Sequence, residues 1–114
     1  MWCEYYPDNP KQLERTSPFD RGGAGDEMPC RLSAMISRDQ GRTWGEPFVI
    51  QENRWKLNVK HPNLLRLKSG EILFTFSGWD SMGQRNAFSK RSADEGKNWS
   101  EPKQISEPGW HCTN

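Results

Sequence analysis

The chain has 114 residues, a formal net charge of +1 at pH 7, 32% hydrophobic residues and 27% charged residues. Its length fits one small domain, but its mean hydropathy of −1.01 is low for a chain that must bury its own core. The small net charge predicts no nucleic-acid partner. No segment is long and apolar enough to predict a membrane span, and no basic-then-apolar signal peptide opens the chain.

The first half of the chain predicts three strands and one long loop. The strands are expected at residues 1–6, 31–37 and 44–50. In the strand at 31–37, apolar and polar residues alternate. The loop, residues 7–30, is rich in Pro, Gly and charged residues, and loops of this length are usually functional or disordered. We therefore interpret residues 1–50 as an incomplete four-stranded unit whose first strand would precede Met1.

The second half predicts a complete unit over residues 51–106. Two strands are expected within 63–77, joined by a turn at 68–70. A third is expected at 86–92 and a fourth at 99–105. Ile72, Phe74 and Phe76 share one face because side chains alternate along a strand. A polar loop is expected over 78–85, and residues 107–114 are expected to be a linker to a further unit.

One eight-residue motif occurs twice, 55 residues apart (92 − 37), at residues 37–44 and 92–99. Both copies fit Ser-x-Asp-x-Gly-x-(Thr/Asn)-Trp, and both continue into Glu-Pro. The defining positions are Ser37, Asp39, Gly41, Thr43 and Trp44 in the first copy, and Ser92, Asp94, Gly96, Asn98 and Trp99 in the second. An internal repeat at this period is typical of propellers and related arrays.

Each copy of the motif predicts a tight turn between two antiparallel strands. The Asp carboxylate is expected to accept hydrogen bonds from backbone N–H groups two or three residues on, and the Gly supplies the positive φ of the turn. The Trp then starts the next strand and offers a large apolar face to a neighbouring sheet. We therefore expect Trp44 and Trp99 to be substantially buried and equivalent.

This motif is the Asp box, and the chain resembles the sialidase (neuraminidase) superfamily of BNR-repeat β-propellers over residues 26–106. The resemblance implies an all-β fold of four-stranded antiparallel blades in a six-bladed propeller. The chain would then hold about two blades, truncated at both ends, and its partners would include the missing blades of the same protein. Asp boxes also occur in other propellers, so the motif indicates a fold more firmly than a reaction.

The resemblance also implies a glycoside hydrolase of the exo-α-sialidase type, acting on terminal sialic acid or a related acidic sugar. Such enzymes use a Tyr nucleophile with a Glu, an Asp acid/base in a long loop before the first Asp box, and three arginines for the sugar carboxylate. Asp26 lies 11 residues (37 − 26) before the first box and is the candidate acid/base, with Glu27 and Asp20 as fallbacks. The nucleophile and most arginines would lie in other blades.

Candidate substrate-binding residues lie in the long loop and in the connections around the second unit. They are Arg21, Trp55, Asn58, His61 and Trp79. Each Trp either stacks on a sugar face or packs against its own blade, and the sequence leaves both interpretations open. Residues 2–6 lack the arginine that the family often carries at the end of this strand. That departure favours the alternative, a non-catalytic Asp-box propeller that binds glycan or protein.

The sequence predicts no metal site and no cofactor. Cys3, Cys30 and Cys112 lack the C-x-x-C spacing typical of zinc sites, so free thiols are the simplest interpretation, with one disulfide as the alternative. A carbohydrate is the expected ligand. The family resemblance points to a secreted or periplasmic protein, although the sequence itself does not identify a compartment.

Overall fold

A computed structural model describes residues 1–5 and 29–107, and all structural statements below concern those residues. Their regular structure consists of β-strands without a helix. The strands are β1 (Trp2–Tyr5), β2 (Cys30–Ala34), β3 (Phe48–Gln51), β4 (Asn58–Arg66), β5 (Ile72–Ser81), β6 (Gln84–Ser92) and β7 (Lys103–Gln104).

The strands form two sheets in which every pair of neighbours is antiparallel. The first sheet has the order β1-β2-β3, and the second has the order β4-β5-β6-β7. Neighbours in each sheet are therefore consecutive in the chain, as in a meander. For the described residues, the prediction of an all-β structure built from antiparallel sheets is confirmed.

Some strand bounds differ from the predicted ones. The prediction of a polar loop over 78–85 is wrong. β5 continues to Ser81 and β6 begins at Gln84, so only a turn of two residues separates them. The strands expected from Trp44 and Trp99 begin later, at Phe48 and Lys103. A Pro stands immediately before each of these starts, and because Pro has no backbone N–H it cannot donate to a ladder.

The hydrophobic core lies between the two sheets, where β2 packs against β4. The residues of the core cluster are nearly or fully buried: Leu32, Ala34, Ile50, Val59, Phe74 and Phe76. Phe74 and Phe76 are fully buried, as the period-2 pattern predicts. Full burial of such an aliphatic or aromatic side chain contributes roughly 1.5–3 kcal/mol, so this small cluster accounts for the association of the sheets.

The expectation that Trp44 and Trp99 are equivalent and buried is wrong for Trp44, which is 60% exposed. Trp99 is half-buried, packs edge-on against Phe74 at 5.8 Å between ring centroids, and donates its indole N–H to the Gly96 carbonyl at 3.0 Å. Phe74 belongs to the strand that pairs with β6. The corresponding strand in the first sheet is β1, and its pairing with β2 ends at Ser33, before the box begins. As a result, β1 places no aromatic ring beneath Trp44.

Candidate functional site

The two Asp boxes form the same hydrogen-bonded turn, each between two antiparallel strands. Asp39 accepts the Thr43 backbone N–H at 2.9 Å and the Thr43 hydroxyl at 2.6 Å. Asp94 accepts the Asn98 backbone N–H at 2.9 Å and the Asn98 side-chain amide at 2.6 Å. The strongest backbone donor is thus four residues after the Asp, and a weaker backbone donor three residues after it, Arg42 or Lys97, lies within the range that the sequence analysis expected.

The serine of each box completes the turn from inside. Ser37 Oγ donates to Asp39 at 2.8 Å and accepts the Gly41 N–H at 2.7 Å. Ser92 makes the matching bonds at 2.8 and 2.9 Å. The box glycines have φ values of +87° and +82°, a left-handed region in which a Cβ is strained, so the predicted role of Gly41 and Gly96 is confirmed.

The hydrogen bonds within each box also fix the charge of its carboxylate. Bonds from the Thr43 side chain and backbone lower the pKa of Asp39 to about 2. Bonds from the Asn98 backbone and side chain lower the pKa of Asp94 to about 2. Because hydrogen bonds to the ionised form favour it, both boxes hold a permanent carboxylate at neutral pH. These carboxylates stabilise turns, and neither has the raised pKa that a general acid requires.

The predicted binding residues lie at the end of the second sheet opposite its box. In the ladder, Trp79 is opposite Asn58 on one side and Arg85 on the other, whereas Ser92 of the box is opposite Ile72. Trp79 and Ile72 are near opposite ends of the same strand, β5. The box and the candidate site are therefore separated by the length of that strand.

The described residues on either side of the segment 6–28 lie at this same end of the molecule. Tyr5 is paired with Cys30, and the Cys30 thiol donates to Asn58 Oδ1 at 3.0 Å. The predicted residues Asp20, Arg21, Asp26 and Glu27 lie outside the described residues. Their assignment stays a prediction, but the described residues that flank them are next to Asn58.

Trp55 packs against its own sheet. Its ring centroid lies 4.7 Å from that of Phe88 and 5.6 Å from that of Phe76. It also covers Gly78 so closely that a Cβ there would lie 2.1 Å from the indole. Of the two interpretations that the sequence left open for Trp55, packing against its own sheet is the one observed.

Trp79 is also packed inside the sheet, with only 1% of its surface exposed. Cationic side chains surround its ring: the Arg85 guanidinium is 4.3 Å and the Lys60 ammonium 5.7 Å from its centroid. The His61 ring centroid lies 5.6 Å away. We call Lys60, His61, Trp79 and Arg85 the Trp79 cluster. Its indole has no face open to a sugar, so Trp79 supports the cations around it.

Asn58 is fully buried and connects the two sheets. Its Oδ1 accepts the Cys30 thiol at 3.0 Å and the Val59 backbone N–H at 2.9 Å. A buried amide with such partners costs free energy to disturb, because loss of one donor leaves a polar atom without compensation. In this arrangement Asn58 positions β4 against β2 and is not accessible to a ligand.

His61 and Arg85 are the half-buried members of the Trp79 cluster. His61 has a φ of +55° at a bulge in β4, and its Nδ1 lies 3.4 Å from the Ser77 hydroxyl. Arg85 Nε is buried and makes no hydrogen bond within the described residues. Cations held over an aromatic ring attract anions strongly where water is excluded. The cluster is thus suited to a carboxylate or another small anion.

The sequence analysis identified Trp79 and His61 but missed Lys60 and Arg85. A signal for both was present. Lys60 follows Asn58 by two residues and so shares its face, and Arg85 faces Trp79 once the hairpin turn is placed at residues 82–83. The wrong prediction of a loop over 78–85 hid that second pairing.

An apolar cleft lies between the sheets at the box end. Its volume is about 320 Å³, and its apolar lining includes Met1, Met35, Ile36, Leu64 and Trp99. Arg66 and Glu95, which form an ion pair at 2.6 Å, also border it. This cleft contains none of the predicted site residues except Ser37, Gly96 and Trp99 of the boxes.

Two further kinds of site are not found in the described part of the chain. Residues 1–5 and 29–107 hold no group of three or more His, Cys, Asp or Glu side chains arranged to bind a metal ion. A helix that could span a membrane is also not found there.

Comparison with known proteins adds no assignment to this geometry. No protein-family model matches the chain, and no curated protein matches it. The case for a function therefore rests on the duplicated box, on the cationic Trp79 cluster at the opposite end, and on the chemistry of the residues themselves.

Proposed function

We propose that this chain is part of a sialidase-like glycoside hydrolase of the exo-α-sialidase type, acting on terminal sialic acid or a related acidic sugar. The observation that carries the proposal is the duplicated Asp box. Its copies repeat side-chain hydrogen bonds and also one backbone pairing, Gly45 N–H to Ile36 O at 3.0 Å and Ser100 N–H to Arg91 O at 2.9 Å. A turn repeated in such detail supports a repeated blade.

In the proposed fold, each sheet is one blade of a six-bladed β-propeller. Consecutive antiparallel strands, which both sheets have, are the arrangement of propeller blades. Several large apolar side chains are also exposed near the box end: Met1 at 43%, Met35 at 36%, Ile36 at 40% and Leu64 at 47%. Surface of this kind supports contact with further blades, because soluble proteins seldom leave large apolar patches in water.

The proposed reaction takes place at the end opposite the boxes. Asp26 acts as acid/base: it donates a proton to the glycosidic oxygen of the leaving group and later accepts one from the attacking water. The Tyr nucleophile, its Glu and the arginines come from other blades. The cations of the Trp79 cluster support an acidic substrate, and His61 and Arg85 are its members that can reach a ligand.

The alternative is a non-catalytic Asp-box propeller that binds glycan or protein. It is favoured by the charge of β1, because Glu4 is the one Asp, Glu, Lys or Arg residue in that strand. Glu4 is paired with Arg31 at 2.9 Å and with the Ser33 hydroxyl. The arginine that the family resemblance predicts at the end of this strand is therefore absent from β1, and Arg31 is committed to Glu4.

The proposal is tested by turnover of a fluorogenic sialoside with the full-length protein that carries this sequence. Asp26→Asn should lower turnover by about 10²–10⁴-fold while the protein stays folded. Glu46→Gln, which removes an exposed carboxylate near the first box, should leave turnover unchanged. Glu27→Gln and Asp20→Asn identify the acid if Asp26 is not it.

The outcomes separate the two functions. Binding of sialic acid without turnover would support the non-catalytic propeller, and the absence of both would contradict the sialidase proposal. The 114-residue chain alone should show no sialidase turnover, because the nucleophile and most of the arginines are expected elsewhere. Turnover by this chain alone at an enzyme-like rate would contradict that expectation.

A further inference from the structure

Cys3 and Cys30 lie on neighbouring strands with their side chains on the same face. The register pairs Cys3 with Leu32 and Tyr5 with Cys30, so the two cysteines are diagonal neighbours. Cys30 is fully buried, while Cys3 is half-buried and packs against the core cluster. Cys3 is the neighbour that most raises the pKa of the Cys30 thiol, and neither cysteine forms a disulfide.

We propose that Cys3 and Cys30 are a redox pair that closes reversibly to a disulfide between β1 and β2. A disulfide requires the sulfur atoms to approach to about 2.05 Å. Diagonal neighbours on paired strands have Cα atoms about 7–8 Å apart, so closure requires a small shift of the backbone. Among the described strands, β1 pairs only with β2 and has four residues, so it can shift to complete the bond. Neither thiol has a part in the proposed glycosidase chemistry, so the inference does not depend on it.

The reaction requires an oxidant, which we take to be a small-molecule disulfide. The Cys3 sulfur, as thiolate, attacks one sulfur of the oxidant and releases one small thiolate. Cys30 then loses its proton and attacks the Cys3 sulfur of the mixed disulfide, releasing the second small thiolate. Two protein thiols are oxidised, one S–S bond forms in the protein, and the oxidant is reduced to two thiols.

The environment of Cys30 determines the order of these steps. Its contact with Cys3 and its burial raise the pKa of the Cys30 thiol, while the charge of Lys60 opposes that rise. A buried thiol with a raised pKa is a poor first nucleophile. Attack therefore begins at Cys3, and deprotonation of Cys30 limits the rate of closure.

Closure would change the contact between the sheets as well as that between the strands. The single S–H of Cys30 is shared between two acceptors, Asn58 Oδ1 at 3.0 Å and the Val59 carbonyl at 3.1 Å. A disulfide has no S–H, so both bonds are lost, although Asn58 keeps the Val59 N–H. In return, the disulfide links residues 27 positions apart (30 − 3) and restricts the unfolded chain.

The test uses the full chain with Cys112→Ser, oxidised under native conditions with glutathione disulfide. We expect a mass decrease of about 2 Da, loss of both reactive thiols, and a peptide in which Cys3 is joined to Cys30. The thermal midpoint should rise by roughly 10 °C and return on reduction. The side-chain amide resonances of Asn58 should shift on oxidation, because the thiol donor disappears.

Two variants in the same background provide the controls. Cys30→Ser should stop at a stable glutathione adduct on Cys3, and Cys3→Ser should react slowly because Cys30 is fully buried. The proposal is overturned if the double-thiol protein also stops at the Cys3 adduct. It is equally overturned if the unmutated chain, oxidised in its native state, pairs either thiol with Cys112 instead.

Discussion

The two Asp boxes have nearly identical hydrogen bonds, yet their tryptophans have different surroundings. Asp39 and Asp94 accept the same pair of bonds, with distances that agree to the first decimal. Trp44 is nevertheless 60% exposed, while Trp99 packs against Phe74. The comparison teaches that the turn is formed by its own eight residues, whereas the burial of the Trp depends on what the neighbouring strand places beneath it.

The largest expected effect comes from removing each Trp in turn. Trp99→Ala should lower the free energy of unfolding by about 2–4 kcal/mol, because it removes packing against Phe74 and leaves a gap. Trp44→Ala should lower it by less than about 0.5 kcal/mol, as for an ordinary surface residue. Urea unfolding followed by circular dichroism measures both. Equal losses would contradict the difference between the two boxes.

The second sheet also depends on Trp55, which covers β5 at Gly78. Gly78→Ala should destabilise the protein by roughly 1–3 kcal/mol, because the added Cβ overlaps the indole and forces it away from Phe76 and Phe88. Gly83→Ala is the matched control, since a Cβ there has no neighbour within 4 Å. A Gly78 variant as stable as the Gly83 variant would mean that Trp55 does not hold this sheet together.

The position two residues before each box gives a pH-dependent comparison. Lys90 in the second sheet corresponds to Met35 in the first, 55 residues earlier. Burial and the nearby charge of Arg54 lower the pKa of Lys90 to about 8, although its ammonium donates to the Ile50 carbonyl. The unfolded chain then binds more protons between pH 8 and about 10.5, so stability should rise with pH across that window.

Lys90→Met makes the second sheet like the first at this position and should abolish that rise. The measurement is the free energy of unfolding at several pH values for both proteins. The dependence of that free energy on pH is compared, and not its absolute value, because the variant also loses the hydrogen bond to the Ile50 carbonyl. Met35→Leu keeps the first sheet apolar and should retain the slope. Equal slopes in the Lys90→Met variant and the parent chain would contradict the lowered pKa.

The smallest expected difference is between the two box carboxylates. The pKa values of Asp39 and Asp94 are both about 2, lowered from 3.8, so each contributes stability that is present above about pH 4 and lost as pH falls toward 2. Carboxyl carbon resonances should titrate at nearly the same pH in both boxes. A separation of more than about one pH unit would mean that tertiary surroundings, and not the local turn, set the charge.

Much of the local structure was predictable from particular residues. The alternation that includes Phe74 and Phe76 placed both in the core, and the box glycines have the predicted positive φ. The prediction of a loop over 78–85 was wrong. It interpreted Gly78 and the residues after it as the start of a polar loop, whereas Trp79 and Asp80 continue β5. Glycine in a strand weakens a prediction, yet here Gly78 is required by the indole above it.

The candidate site was less predictable than the fold. Asp26, Glu27, Asp20 and Arg21 remain predictions because they lie outside the described residues. Trp79 and Asn58 were expected in connections around the second unit, whereas they lie on β5 and β4 and are buried. Lys60 and Arg85 entered the site only through the register of β4, β5 and β6.

The sequence by itself determined the two box turns and the antiparallel strands on either side of them. Those features depend on bonds within eight residues and on the alternation of side chains, both of which are local. Only the tertiary structure decided that Trp44 is exposed while Trp99 is packed, and that Cys30 on β2 donates to Asn58 on β4. These outcomes depend on which side chains from distant strands meet, and that is set by register and by the packing of one sheet on the other.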